Sequence, residues 1–169
     1  MAESFTLSKY LGLWYELGHY PEWFQKNDQY NTTAKYTIID QETIQVVNST
    51  IINGQNKTSV GTAKVISPGA LQVSFPVPEI AKLAASDSRY KPQFEMPSGP
   101  NYIIDKIWTN CRGEYAFAIV TNSDKSSLYI LSRHPNPSLA AYNTIMEYIH
   151  LNYDPSKLVQ TPHFACGIN

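Results

Sequence analysis

From Ala34 onward the hydrophobic positions recur every second residue, the period of a half-buried strand rather than of a helix. Ala34, Tyr36 and Ile38 face one way, while Lys35 and Thr37 face the other. A polar turn, Asp40-Gln41-Glu42, precedes a second run that sets Ile44, Val46, Asn48 and Thr50 on one face. Asn53-Gly54 then signals a hairpin, because both residues tolerate the positive φ angles that a tight two-residue loop requires. Residues 60–66 continue the series up to Pro68-Gly69, and Leu71, Val73 and Phe75 alternate until Pro76 and Pro78 stop the strand. Segments 102–108, 115–121 and 128–133 read as three more strands, joined by turns at 110–113 and 122–126. Short consecutive strands with tight turns make a meander, and closing it into a barrel removes its edges.

Two segments break the rhythm. Residues 79–100 offer a possible helical turn at 79–85 and then a Ser/Pro/Gly-rich stretch with Tyr90 and Phe94. A loop this long is either a lid or entrance, or a tolerated insertion. Past Pro135 and Pro137, Ser138 can cap a helix running to about Asn152, with Leu139, Tyr142, Ile145, Met146 and Ile149 at helical spacing. That stripe is expected to dock on the outside of the barrel. Asp154-Pro155 ends the helix, and residues 157–161 can add a last strand. No internal repeat or linker is visible, and 169 residues suit one domain over residues 1–169.

Composition narrows the function classes. Hydrophobic residues make up 43% of the chain, enough for a sizeable core. With 16% charged residues and a net charge of −1, there is no electrostatic footprint for nucleic acid and no polybasic run for an anionic membrane. Cys111 and Cys166 are too few for a disulfide scaffold, and spacing leaves one bridge and two free thiols equally open. Neither cysteine belongs to a CxxC pair and the four histidines are scattered, so no metal site and no cofactor are expected. Residues 1–9 lack the basic and apolar regions of a leader, which fits a protein kept inside the cell or one whose leader has been removed. Sequons at Asn31, Asn48 and Asn56 do not decide the compartment, since about two are expected by chance in a chain this rich in Asn, Ser and Thr.

Specific residues then sharpen the barrel. The run Tyr10-Leu11-Gly12-Leu13-Trp14-Tyr15-Glu16-Leu17 resembles the first signature of the lipocalin family, a Gly-x-Trp opening the first strand. Leu128-Tyr129-Ile130-Leu131-Ser132-Arg133 resembles the third, in which an Arg ends the eighth strand. The likeness runs from about Ser8 to Pro162. It is nearest in texture to the branch that holds apolipoprotein D, the bacterial outer-membrane lipocalins and the plant temperature-induced lipocalins. The second signature departs from the pattern: Tyr115 matches its Tyr, but Arg112, between Cys111 and Gly113, stands about where an Asp is usual. The resemblance implies an all-β fold, an eight-stranded antiparallel up-and-down barrel with one C-terminal helix packed outside. It makes Gly12, Trp14, Tyr115 and Arg133 structural. Trp14 plugs the closed end, and Arg133 lies across its indole face in a cation–π contact of about 0.5–2 kcal/mol.

An eight-stranded barrel has room for one small ligand. The inward face gathers Tyr36, Val46, Val65, Leu71, Val73, Phe75, Tyr102, Ile104 and Tyr129 with Asn48, and the small Ala34 and Ala63 leave volume. Apolar walls with a few hydroxyls describe a site for a hydrophobic molecule with one polar end, such as a fatty acid or lysophospholipid carried or stored without covalent chemistry. The competing view is that these side chains fill the centre. Trp23 and Phe24, between the first two strands, serve as lid, plug or peripheral membrane contact. Monomer and dimer are both open, and the temperature-induced branch implies stress-related lipid handling. An enzyme acting on a small aromatic or lipid substrate is the alternative; Tyr and Glu in a barrel can move protons, with Asp105 and Glu114 as candidates if inward and paired. No His/carboxylate or Cys/His arrangement is apparent in the sequence, so no catalytic residue is assigned.

Overall fold

The structure is a computed structural model and describes residues 5–21, 29–75 and 99–164. A short helix α1 (Leu7–Tyr10) leads into eight strands: β1 (Gly12–His19), β2 (Tyr30–Ile38), β3 (Thr43–Ile52), β4 (Gln55–Ser67), β5 (Ala70–Ser74), β6 (Tyr102–Thr109), β7 (Tyr115–Thr121) and β8 (Leu128–Ser132). Each pairs antiparallel with the next, and β1 pairs with both β2 and β8, so the meander closes on itself. Helix α2 (Leu139–Asn152) follows, and a two-residue strand β9 (Val159–Gln160) adds to β1 beyond the barrel. The barrel and its late helix are the architecture that the alternating pattern and the resemblance together implied.

Local chemistry explains the joints. Asn53 and Gly54 both take positive φ, 54° and 76°, the geometry that lets β3 turn directly into β4 without splaying. In the 110–113 turn the missing Asp is replaced from two residues earlier in the chain. Asn110 Oδ1 accepts from the amides of Arg112 and Glu114, and its Nδ2 donates to Glu114 Oε1. Tyr115 completes the unit, its hydroxyl accepting from the amide of Thr6 at 2.9 Å.

Both faces of the later strands are covered, which is why β7 reads as a nearly continuous apolar run. Ala118 and Val120 join the inner cluster with Trp14 and Leu71, while Ile119 turns outward to Leu128, Ile130, Ile145 and Ile149 beneath α2. Burying each such isoleucine contributes about 1.5–3 kcal/mol. Ser138 caps α2, its Oγ accepting from Ala141 N at 3.2 Å. Farther along, Tyr148 and Tyr153 donate to Asp105 Oδ2 at 2.9 and 2.8 Å.

Several sequence expectations need correction. Asp105 is not inward: it anchors the helix on the outer face, and Glu114 is exposed beside Arg112. Leu139 does not join the docking stripe but stands 74% exposed in the first turn of α2. Ile38 is 57% exposed because β1–β2 pairing stops at Gly12↔Tyr36, leaving it uncovered on that flank. The last strand is only Val159–Gln160, since Pro155–Lys157 forms a 3-10 turn. Cys111 is an exposed free thiol; Cys166 and the 79–98 part of the long segment lie outside the described residues.

Candidate functional site

One end of the barrel is stoppered. Trp14 is fully buried, and the guanidinium carbon of Arg133 lies 3.8 Å from the indole centroid. Arg133 also donates to the carbonyls of Leu13 (2.7 Å), Leu11 (2.9 Å) and Lys9 (3.0 Å), and Trp14 Nε1 donates to Tyr10 O at 2.7 Å. Gly12 makes this approach possible: its φ is 104°, and a Cβ there would lie 3.4 Å from Arg133 Nη1. The sequence-assigned signature residues Gly12, Trp14 and Arg133 thus meet at one point, and Tyr115 pins α1 beside them.

Inside the barrel lies a cavity of about 420 Å³, within the size range of small-molecule sites. Tyr36, Val46, Asn48, Val73, Phe75, Tyr102 and Tyr129 line it, with Ala34. Asn48 therefore points into the barrel despite its sequon. Four other residues expected at the cavity do not line it. Ala63, Leu71 and Ile104 are essentially fully buried, and Val65 packs against them. Strand register carries Ala63 beside Ile44 and Val65 beside Leu71, toward the stoppered end, where side chains fill the barrel. Phe75 reaches inward because Gly61 leaves room: a Cβ there would come within 2.6 Å of the Phe75 ring. Trp23 and Phe24 lie outside the described residues.

The structure adds polar groups that alternation did not single out. Glu16 lines the cavity; its Oε2 accepts from Thr161 Oγ1 at 2.5 Å and lies 3.0 Å from His19 Nδ1. Strict alternation from Trp14 would turn His19 outward. A bulge at Leu17, between Glu16 and Gly18, resets the register and puts His19 opposite Tyr129. The sequence reading that no His/carboxylate arrangement exists is therefore corrected. With Glu16 accepting as a carboxylate, Nδ1 is the donor, and Nε2 of the buried His19 has no partner among the described residues. At the opposite end from Trp14, Thr32 and Thr50 share a hydroxyl contact of 2.6 Å, and Lys57, paired with Thr50, is the one cation lining the cavity among the described residues. The short β5–β6 seam is closed by Asn101, whose side chain bonds both the N–H (2.7 Å) and the C=O (3.0 Å) of Val73, as a strand would.

Burial sets the state of the tyrosines. It pushes Tyr36 up to about 12 and raises Tyr10 and Tyr102 well above the ordinary phenol range. Outside the barrel, burial and then the Asp105 carboxylate push Tyr148 up to about 12. A raised folded-state value stabilises the fold fully below the unfolded value of 10.0, and that stabilisation is lost as pH rises toward about 12. Tyrosinate absorbance is therefore expected to lag behind free tyrosine and then rise together with unfolding. Titration of all tyrosines near the free value, with the fold intact, would contradict this placement.

A second, larger groove lies outside the barrel between the 110–113 turn and the start of α2; it shares no lining residue with the barrel cavity. Among the described residues no cluster of His, Cys, Asp or Glu could hold a metal ion.

A family model described as "Lipocalin-like domain" matches residues 5–163. The chain belongs to the lipocalin family. Temperature-induced lipocalin-1 of Arabidopsis thaliana is 28% identical over 167 residues, covering 96% of this chain and 81% of the plant protein. A protein of Acanthamoeba polyphaga mimivirus named as a lipocalin is 29% identical over 168 residues, covering 93% of this chain and 84% of its own. Among solved structures, apocrustacyanin C1 superposes with a TM-score of 0.62 at 13% identity, over 95% of this chain and 81% of that one. The cockroach allergen Per a 4 gives 0.62 at 19% identity, over 98% and 95%. At such identities the structures speak for the fold. The lipocalin fold generally binds small hydrophobic ligands, and a hollow barrel with apolar walls is the feature that lets it do so.

Proposed function

We propose that this lipocalin carries or stores a single-chain lipid, a fatty acid or lysophospholipid, with its chain in the barrel and its anionic head at the mouth. The observation that carries this reading is the unfilled cavity of about 420 Å³ between the Trp14 stopper and Lys57. Val46, Val73, Phe75 and Leu131 supply apolar wall, and Lys57 is placed to meet a carboxylate or phosphate. Tyr36, Asn48, Tyr102 and Tyr129 join them as ligand-contacting residues, while Trp23 and Phe24 remain the proposed lid. The plant relative's temperature-induced name supports a role in lipid handling under stress.

Native mass spectrometry of protein taken gently from its own host tests the reading. Added mass matching a lipid is expected, lost on denaturation. A bare chain, both as isolated and after incubation with fatty acid, would remove the proposal. One observation favours a second reading, a barrel enzyme. His19 is oriented by Glu16 and keeps Nε2 without a partner among the described residues, an arrangement that suits a general base. Turnover of an added lipid or phenolic substrate, lost in His19→Gln, marks the enzyme; retention unchanged marks the carrier.

A further inference from the structure

Glu16 is a carboxylate in the wall of a cavity built largely for hydrocarbon, and it is only 6% exposed. One of its oxygens is engaged: Oε2 accepts from Thr161 Oγ1 at 2.5 Å and from His19 Nδ1 at 3.0 Å. The other, Oε1, has no hydrogen-bond partner among the described residues. A buried carboxylate with one oxygen unmet is costly. The basic groups beside it do not cancel its charge. His163 spends its Nε2 on the Glu16 carbonyl, not on the carboxylate. An imidazolium at His19 would carry a second N–H, on a buried Nε2 with no acceptor among the described residues. The neutral ring, with its proton on Nδ1, serves Glu16 and strands no donor. The negative charge therefore stays on Glu16. It is felt at Tyr36, which burial first and Glu16 more weakly push up to about 12.

Strand register sets this carboxylate in line with Lys57, the one cation lining the cavity among the described residues. Pairing of β1 with β2 ends at Tyr15↔Thr33, and one further step brings Glu16 level with Thr32. Thr32 meets the hydroxyl of Thr50, and Thr50 pairs with Lys57. All four line the cavity, so a polar row crosses β1 to β4 on the mouth side of Trp14 and Ala34. Three strand spacings of ~4.8 Å put its ends about 14 Å apart at the backbone, and both end side chains reach inward over the cavity. A purely anionic head group at Lys57 is opposed by Glu16 from the other end of the row. A head group carrying both a phosphate and an ammonium meets both ends. That ammonium must bring N–H donors, because Oε1 lacks a hydrogen bond and a trimethylated nitrogen has none to give.

We propose that Glu16 is a head-group subsite for a primary ammonium, and that the preferred lipid is a single-chain phosphoethanolamine with its phosphate toward Lys57 and its N–H groups on Glu16 Oε1. This rests on the reading of the barrel as a lipid site and adds the class of head group.

The test compares palmitoyl lysophosphatidylethanolamine with its trimethylated counterpart, lysophosphatidylcholine, and with its N-acetyl form, by calorimetry on the wild type and Glu16→Gln. In the wild type, affinity is expected to fall about ten-fold or more from the primary amine to either relative. In Glu16→Gln, which keeps the size of the side chain, the three affinities are expected to converge to within about two-fold. Convergence already in the wild type overturns the subsite and leaves the lipid site standing. Discrimination retained in full by Glu16→Gln overturns it as well. Failure of all three lipids, and of palmitic acid, to bind the wild type overturns both. Should the variant not fold, the wild type alone decides. The N-acetyl form keeps the phosphate and one N–H but loses the positive charge, so its binding as tightly as the free amine counts against the subsite.

Discussion

Truncating Trp14 to alanine is expected to cost about 3–5 kcal/mol, the range for removing a large aromatic side chain from a packed interior. For a chain of this size that lowers the thermal midpoint by roughly 2–4 °C per kcal/mol. The indole is fully buried and packs on Tyr10 with ring centroids 5.1 Å apart, so nothing nearby is free to collapse into the gap. Its loss also removes the donor to Tyr10 O and the face on which Arg133 lies. Arg133→Ala should be milder, because the carbonyls it releases at the rim can turn to water. The two substitutions are expected to couple by about 0.5–2 kcal/mol in a double-mutant cycle, the share owed to cation–π contact. Additivity within about 0.3–0.5 kcal/mol would mean that guanidinium and indole act independently, contrary to their geometry.

This stopper was legible in the sequence because its members sit at fixed places in two strands. Gly12 and Trp14 open β1 and Arg133 directly follows β8, so the resemblance of two short runs carried a contact between residues 119 positions apart. The barrel was legible for a related reason: a period of two records which side of each strand is buried, and tight turns record which strands adjoin. What the period cannot record is depth along the barrel axis. Ala63 and Ala34 look alike in sequence, both small and both inward, yet Ala34 lines the cavity and Ala63 is packed below it. Leu71 and Val73 separate in the same way within one strand. Depth depends on strand tilt and register, which emerge only when the sheet closes.

The bulge at Leu17 limited the reading differently. One extra residue inverts every inward assignment after it, and the sequence around Leu17-Gly18 offers only a glycine as warning. That glycine is explained by its surroundings, since a Cβ on Gly18 would lie 3.1 Å from Val159 O where β9 crosses. Glu16, His19 and Thr161 are thus drawn together by a crossing strand and a register shift, neither of which has a periodic signature. The polar groups drawn in at this bulge are therefore created by tertiary irregularity, whereas alternation had already placed the phenols of Tyr36 and Tyr102, which with Lys57 give the cavity its chemical gradient, from neutral phenols at the stopper to an ammonium at the mouth.

That gradient makes chain length the most sensitive probe of the cavity. Across a series of saturated fatty acids, each methylene added within the barrel is expected to improve binding by about 0.8 kcal/mol, close to four-fold. Four methylenes then give roughly 200-fold in Kd, an effect no single surface contact would match. The rise should stop when the chain reaches Tyr36 and Tyr102, because further carbon must leave past Lys57 into water. Asn48→Trp moves the stop. Asn48 stands opposite Ala34 across the β2–β3 ladder, both line the cavity, and an indole there takes up volume that the ligand needs. The variant is expected to keep the affinity of the shortest acids and to reach its plateau several methylenes earlier. Binding that climbs without a break in both proteins would place the chain on an outer surface. Binding indifferent to length would show that the barrel interior takes no part.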